Sequence, residues 1–159
     1  MVGLISIANG SGRLLWAWLS DFTGRRQVFV TMFLVQALAF LLLSRVQSLG
    51  ALGFLAFVVL LCYGGGFGTM PAFAADLFGP GNVGSIYGLM LTAWGMAGVF
   101  GPTLIAQIRQ STGHYTEALH VIAGLMLASA VVPFFVRPLG ERTGGFVPPY
   151  PSPALGRKA

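Results

Sequence analysis

Charge is scarce in this chain: of 159 residues only 8% are charged, and the acidic residues number four. The single cysteine, Cys62, lies inside an apolar run, which excludes an internal disulfide and a cysteine-rich metal site. His114 and His120 fall in or beside one turn and read as surface residues. No His/Glu metal spacing occurs, and no nucleophile stands beside a base. These absences argue against an enzyme, a metal or any other cofactor, and no cofactor is expected. The glycine run GGGFG is not a dinucleotide fingerprint, because the spacing is wrong and no strand precedes it.

Apolar residues are what the chain has in excess, at 55%. Apolar stretches near the roughly 20 residues that cross a bilayer core recur along it. They predict an all-α, polytopic membrane helix bundle of about five transmembrane helices, over residues 2–20, 28–44, 52–77, 84–108 and 118–136. Membrane lipid is therefore an expected partner. The connections DFTGRRQ, RVQSLGA, FGPGNV and RQSTGHYTE are short and rich in charge or turn formers, as between antiparallel neighbours. Residues 138–159 are rich in Pro and Gly and predict a disordered cytoplasmic tail.

The net charge of +5 has a topological meaning. Arg25 and Arg26 in the first turn and Arg137, Arg142, Arg157 and Lys158 in the tail fall on one side of a five-span alternation, against Arg45 and Arg109 on the other. This predicts an integral protein of a plasma or inner membrane with its C-terminus in the cytoplasm. No basic face interleaved with aromatics exists, so nucleic acid is not an expected partner. The N-terminus carries no removable signal peptide pattern. Met1 falls outside the membrane with no hydrophilic flank before the first span, which reads as the back part of something longer.

Glycine organises two spans. Gly84, Gly88, Gly95, Gly98 and Gly101 recur at intervals that bring small residues to neighbouring helix faces, where another backbone can approach closely. Gly64, Gly65, Gly66 and Gly68, with Pro71, are expected to weaken the third helix and allow bending or local unwinding. Close packing is the favoured role for both sets over direct ligand contact.

Arg13 lies eight residues before Asp21, which puts its Cα about 12 Å in from the helix end, near the bilayer midplane. An arginine there costs about 2.5–3.5 kcal/mol on insertion scales, so the folded protein must offset it. Ser6, Asn9 and Arg13 form a polar stripe that faces protein or a water-filled cavity. A permanent ion pair is the plainer explanation, but Asp76, the one carboxylate inside a span, sits near the cytoplasmic end and looks too shallow. A functional anion site is favoured. Trp94 stands in mid-span, away from the interfaces where tryptophan concentrates, and Tyr87 shares its face. Both read as pocket-lining or as packing residues. Thr69, Thr92 and Gln107 are weaker candidates, since lone polar residues commonly bond between helices.

The stretch AWLSDFTGRR resembles the loop signature of the major facilitator superfamily, G-x-L-x-D-x-x-G-R-R/K, at Leu19, Asp21, Gly24, Arg25 and Arg26. Ala17 replaces the first glycine, and Phe22 stands where a basic residue is common. Asp21 is expected to cap a helix N-terminus and pair with basic residues, and Gly24 to permit the tight turn. In the family this loop is a conformational latch, a coupling on the scale of about 1–3 kcal/mol. The segments NGSGR, YGGGFGTMPAFAADLFG and GSIYGLMLTAWGMAGVFGP are similar to the oxalate/formate antiporter-like branch, related to monocarboxylate transporters.

The resemblance implies helices eight to twelve of a twelve-helix secondary transporter. Arg13 matches the arginine that binds the substrate carboxylate, and Trp94 stands where oxalate specialists carry a lysine. One cation in place of two favours a monocarboxylate over a dicarboxylate. The expected partners are a small carboxylate substrate and a missing N-terminal half or a partner chain. Three other readings stand beside this one: a non-functional truncation product, a half-transporter needing a separate partner and, weakest, a membrane enzyme or scaffold.

Overall fold

A computed structural model describes residues 2–136. The tail expected at 138–159, with Arg137, Arg142, Arg157 and Lys158, lies outside the described residues. Five α-helices follow one another: α1 (Val2–Thr23), α2 (Arg25–Leu43), α3 (Leu49–Phe78), α4 (Val83–Thr112) and α5 (Thr116–Phe135), with a 3-10 turn at Pro80–Asn82 before α4. Among the described residues there is no strand.

Four of the helices, α2 to α5, are long and apolar enough to cross a membrane. The polar stripe and the three glycines of α1 set it apart from them in composition. The helices extend further into the connecting segments than the apolar runs suggest. The first connection shrinks to Gly24, whose φ of 90° is open to glycine at little cost. Its amide closes α1 by donating to the Ser20 carbonyl at 3.1 Å. Asp21 is thus the third-last residue of α1 and caps no N-terminus, contrary to expectation, because the residue preceding α2 is Gly24. Ser48 does cap α3, its hydroxyl accepting from the Ala51 amide at 3.2 Å.

The most extensive helix pairing joins α1 to α3. Glycine makes it possible. A Cβ added at Gly12 would collide with the Leu61 backbone, one at Gly64 with Asn9, and one at Gly65 with the Trp16 side chain. At Gly68 it would lie 2.6 Å from the Arg13 carbonyl oxygen. Asn9 faces Gly64 and Arg13 faces Gly68, so the contacts climb both helices together and the two run in the same direction. Through Gly64 to Pro71, the segment expected to be weakened, α3 is continuously helical, and Gly64, Gly65 and Gly68 bring α1 close.

Trp16, Val28, Phe29, Met32 and Cys62 form the buried core where α1, α2 and α3 meet. Helix α5 lies against α2 and buries small residues, Ala118, Ala123 and Ala130 among them. Helix α4 differs from the rest in having no buried residue. A Cβ at Gly84, Gly88, Gly95, Gly98 or Gly101 would meet nothing within 4 Å, and the same is true at Gly66. The close packing expected at these positions is therefore absent among the described residues. The α3–α4 and α4–α5 contacts are sparse, which leaves the glycine face of α4 uncovered.

Candidate functional site

Arg13 projects from α1 towards α3, where its guanidinium carbon stands 5.8 Å from the centre of the Phe67 ring. This is cation–π distance, and a ring face offsets part of the cost of an arginine in an apolar setting. Among the described residues Arg13 forms no salt bridge. One turn earlier Asn9 packs on Gly64, and its Oδ1 is buried with no hydrogen-bond partner among the described residues. The stripe thus holds a cation without a carboxylate and an amide oxygen without a donor.

Phe67 carries the arrangement across to α4. Its ring meets Trp94 edge-on, centroids 5.4 Å apart and planes at 89°. The Trp94 Nε1–H donates to the Tyr63 hydroxyl at 3.0 Å, and Tyr63 packs edge-on against Phe67 at 5.2 Å. Arg13, Phe67, Trp94 and Tyr63 therefore form one connected group over three helices. Tyr87, two turns from Trp94 on α4, is half-buried and makes no ring contact with this group among the described residues.

Sequence reasoning missed Tyr63 and Phe67, which flank Gly64, Gly65 and Gly66, three of the glycines that drew attention for packing. The available signal was the buried-helix rule that an indole N–H and a phenol in mid-span each need a polar partner. Behind the group lies a cavity of about 250 Å³ between α2, α3, α4 and α5, lined by Tyr63, Phe67 and Trp94 together with methionines from all four helices.

The charges of the first turn form a second cluster. Asp76 pairs with Arg25 through Nε of the guanidinium. Arg25 also stands 3.6 Å from Asp21 and reaches the Ser20 hydroxyl at 3.5 Å. Arg26 donates to the Val136 carbonyl at 3.1 Å, where α5 ends. At the far ends of the helices, Arg109 covers the Tyr115 ring at 4.6 Å and His120 bonds Ser44 at 3.2 Å, tying α5 to α2. Among the described residues no group of His, Cys, Asp and Glu could hold a metal ion.

Long apolar helices define a membrane protein, and beside them stands an arginine in mid-helix that forms no salt bridge among the described residues. The Major Facilitator Superfamily profile matches residues 1–158, and the chain belongs to that family. It is 27% identical over 142 residues to the oxalate:formate antiporter of Oxalobacter formigenes, a match covering 88% of this chain and 34% of the antiporter. It is also 27% identical over 135 residues to apicoplast pyruvate carrier 1 of Toxoplasma gondii, covering 84% of this chain and 24% of the carrier. The chain thus spans between a quarter and about a third of the length of these relatives. No solved structure matches it. The family is one of transporters embedded in lipid.

Proposed function

We propose that this chain forms part of a secondary transporter that moves small organic anions, monocarboxylates in preference to dicarboxylates, by alternating access. Residues 1–137 act as one membrane-embedded bundle, the C-terminal part of the transporter, with the first turn and the C-terminus on the cytoplasmic side. Arg13 receives the carboxylate, and Asn9 and Trp94 flank it. The remaining helices come from a missing N-terminal half or a partner chain, since such transporters hold substrate between two halves.

The observation that carries this reading is Arg13 itself, a mid-helix cation over the Phe67 ring with no salt bridge among the described residues. The names of the two relatives, an oxalate:formate antiporter and a pyruvate carrier, support a small carboxylate as cargo. The neutral Trp94 supports a single negative charge. The test is uptake of labelled formate, pyruvate and oxalate into vesicles containing the native protein and its Arg13→Gln variant. Saturable monocarboxylate uptake should fall about 10- to 100-fold on losing the charge-assisted bonds. Preference for oxalate, or uptake indifferent to Arg13, overturns the reading.

The uncovered face of α4 supports a second point, that helices from outside this chain complete the bundle. An epitope beside Ala159 tests this: a band at the mass of a twelve-helix protein means one longer chain, whereas a band at 16.8 kDa requires a co-purifying partner, and finding none overturns the point in favour of a non-functional product.

A further inference from the structure

The cavity behind Phe67 has walls unsuited to a carboxylate. Met32, Met70, Met90 and Met126 line it with Phe29 and Phe33. The Trp94 Nε1–H is spent on the Tyr63 hydroxyl, which leaves the proton of that hydroxyl and the Gln36 amide as the strongly polar groups on a wall that is otherwise apolar. A wall so largely apolar favours apolar ligands; an engineered cavity of about 150 Å³ is enough to bind benzene. Here the volume is about 250 Å³.

Gly66 adds an independent observation. It lines the cavity, and a Cβ at this position would meet nothing within 4 Å, whereas Gly64, Gly65 and Gly68 are all occupied by α1. Glycine at 66 therefore keeps space open without bringing a helix closer.

The cavity and the cation share a wall, because the Phe67 ring lies 5.8 Å from the Arg13 guanidinium and also lines the cavity. We propose that the cavity receives the apolar tail of a monocarboxylate whose carboxylate is held by Arg13. The substrate class is then tailed monocarboxylates, with an alkyl chain of several carbons or a phenyl group, ahead of formate. This rests on the anion-binding role of Arg13 proposed above. Methionine side chains are flexible and polarisable, so the site accepts tails of differing shape.

The experiment is equilibrium binding of formate, butyrate, hexanoate and 3-phenylpropanoate to the full-length native protein in lipid nanodiscs. Affinity should rise about two- to fourfold per added methylene up to hexanoate, the scale expected for methylene burial. Gly66→Leu should flatten the series while formate still binds. Met126→Phe, filling the space from α5, gives the same reading should Gly66→Leu fail to accumulate. Arg13→Gln should abolish binding of the whole series. A flat series in the unaltered protein that still depends on Arg13 overturns the tail site and leaves the anion site standing. A rise that survives both filling variants is partition into lipid, and it too overturns the tail site. Binding that ignores Arg13→Gln overturns the anion role and the tail site together.

Discussion

Arg25, the first residue of α2, pairs with Asp76, the third-last residue of α3, and so joins two helix ends that are 51 residues apart in the chain. The Asp76 side chain is 52% exposed and that of Arg25 25%. Solvent screening keeps such a pair modest. A double-mutant cycle of Arg25→Ala and Asp76→Asn, followed by unfolding in detergent, should give a coupling of about 1 kcal/mol or less. A larger effect on transport than on stability would mark the pair as part of the latch.

The glycines of α3 and α4 should respond oppositely to the same change. Gly64→Ala drives a methyl into the Asn9 backbone, and the α1–α3 contact must open. The expected loss is about 1–3 kcal/mol, the scale of overpacking. Gly95→Ala meets open space in this chain and removes a poor helix former, so it should be neutral or stabilising by up to about 1 kcal/mol. Thermal unfolding of the purified chain in detergent separates the two.

Tyr63→Phe and Trp94→Phe each remove one side of the same hydrogen bond. Either alone should cost about 0.5–1.5 kcal/mol, and the double variant should cost less than their sum. Additive losses in the melting cycle would mean that the bond contributes nothing to stability.

Trp94→Lys places a second cation across Phe67 from Arg13. Oxalate affinity should rise at least about tenfold relative to formate, the scale of one added charge-assisted hydrogen bond. Competition between labelled formate and oxalate measures the shift.

Much of the helix order was legible because apolar runs and turn formers are local signals. Gly113 ends α4 and Gly79 ends α3 within the expected connections. The first turn was misjudged because Asp21 and Arg25 look like loop residues, yet charged side chains sit readily in the exposed last and first turns of helices. The glycines were read correctly as small but not sorted by partner. Spacing says which residues share a face, and only the tertiary arrangement says whether anything lies opposite. Gly12 went unnoticed, although it meets Leu61, while Gly84, Gly88, Gly95, Gly98 and Gly101 face open space. In the candidate site, Arg13 was visible because charge in a span is costly. Phe67 was not, because a phenylalanine in an apolar run carries no signal of its own.

The shared backbone seam of α1 and α3 gives the candidate site one rigid edge and one compliant edge. Arg13 and Phe67 sit on opposite sides of that seam, with Gly68 pressed against the Arg13 carbonyl, so their spacing is set by main chain. Trp94 rides on α4, none of whose residues is fully buried, and its distance from Phe67 is set by one ring edge and one hydrogen bond. A push on this bundle therefore leaves the cation and its ring together and changes the gap on the tryptophan side first.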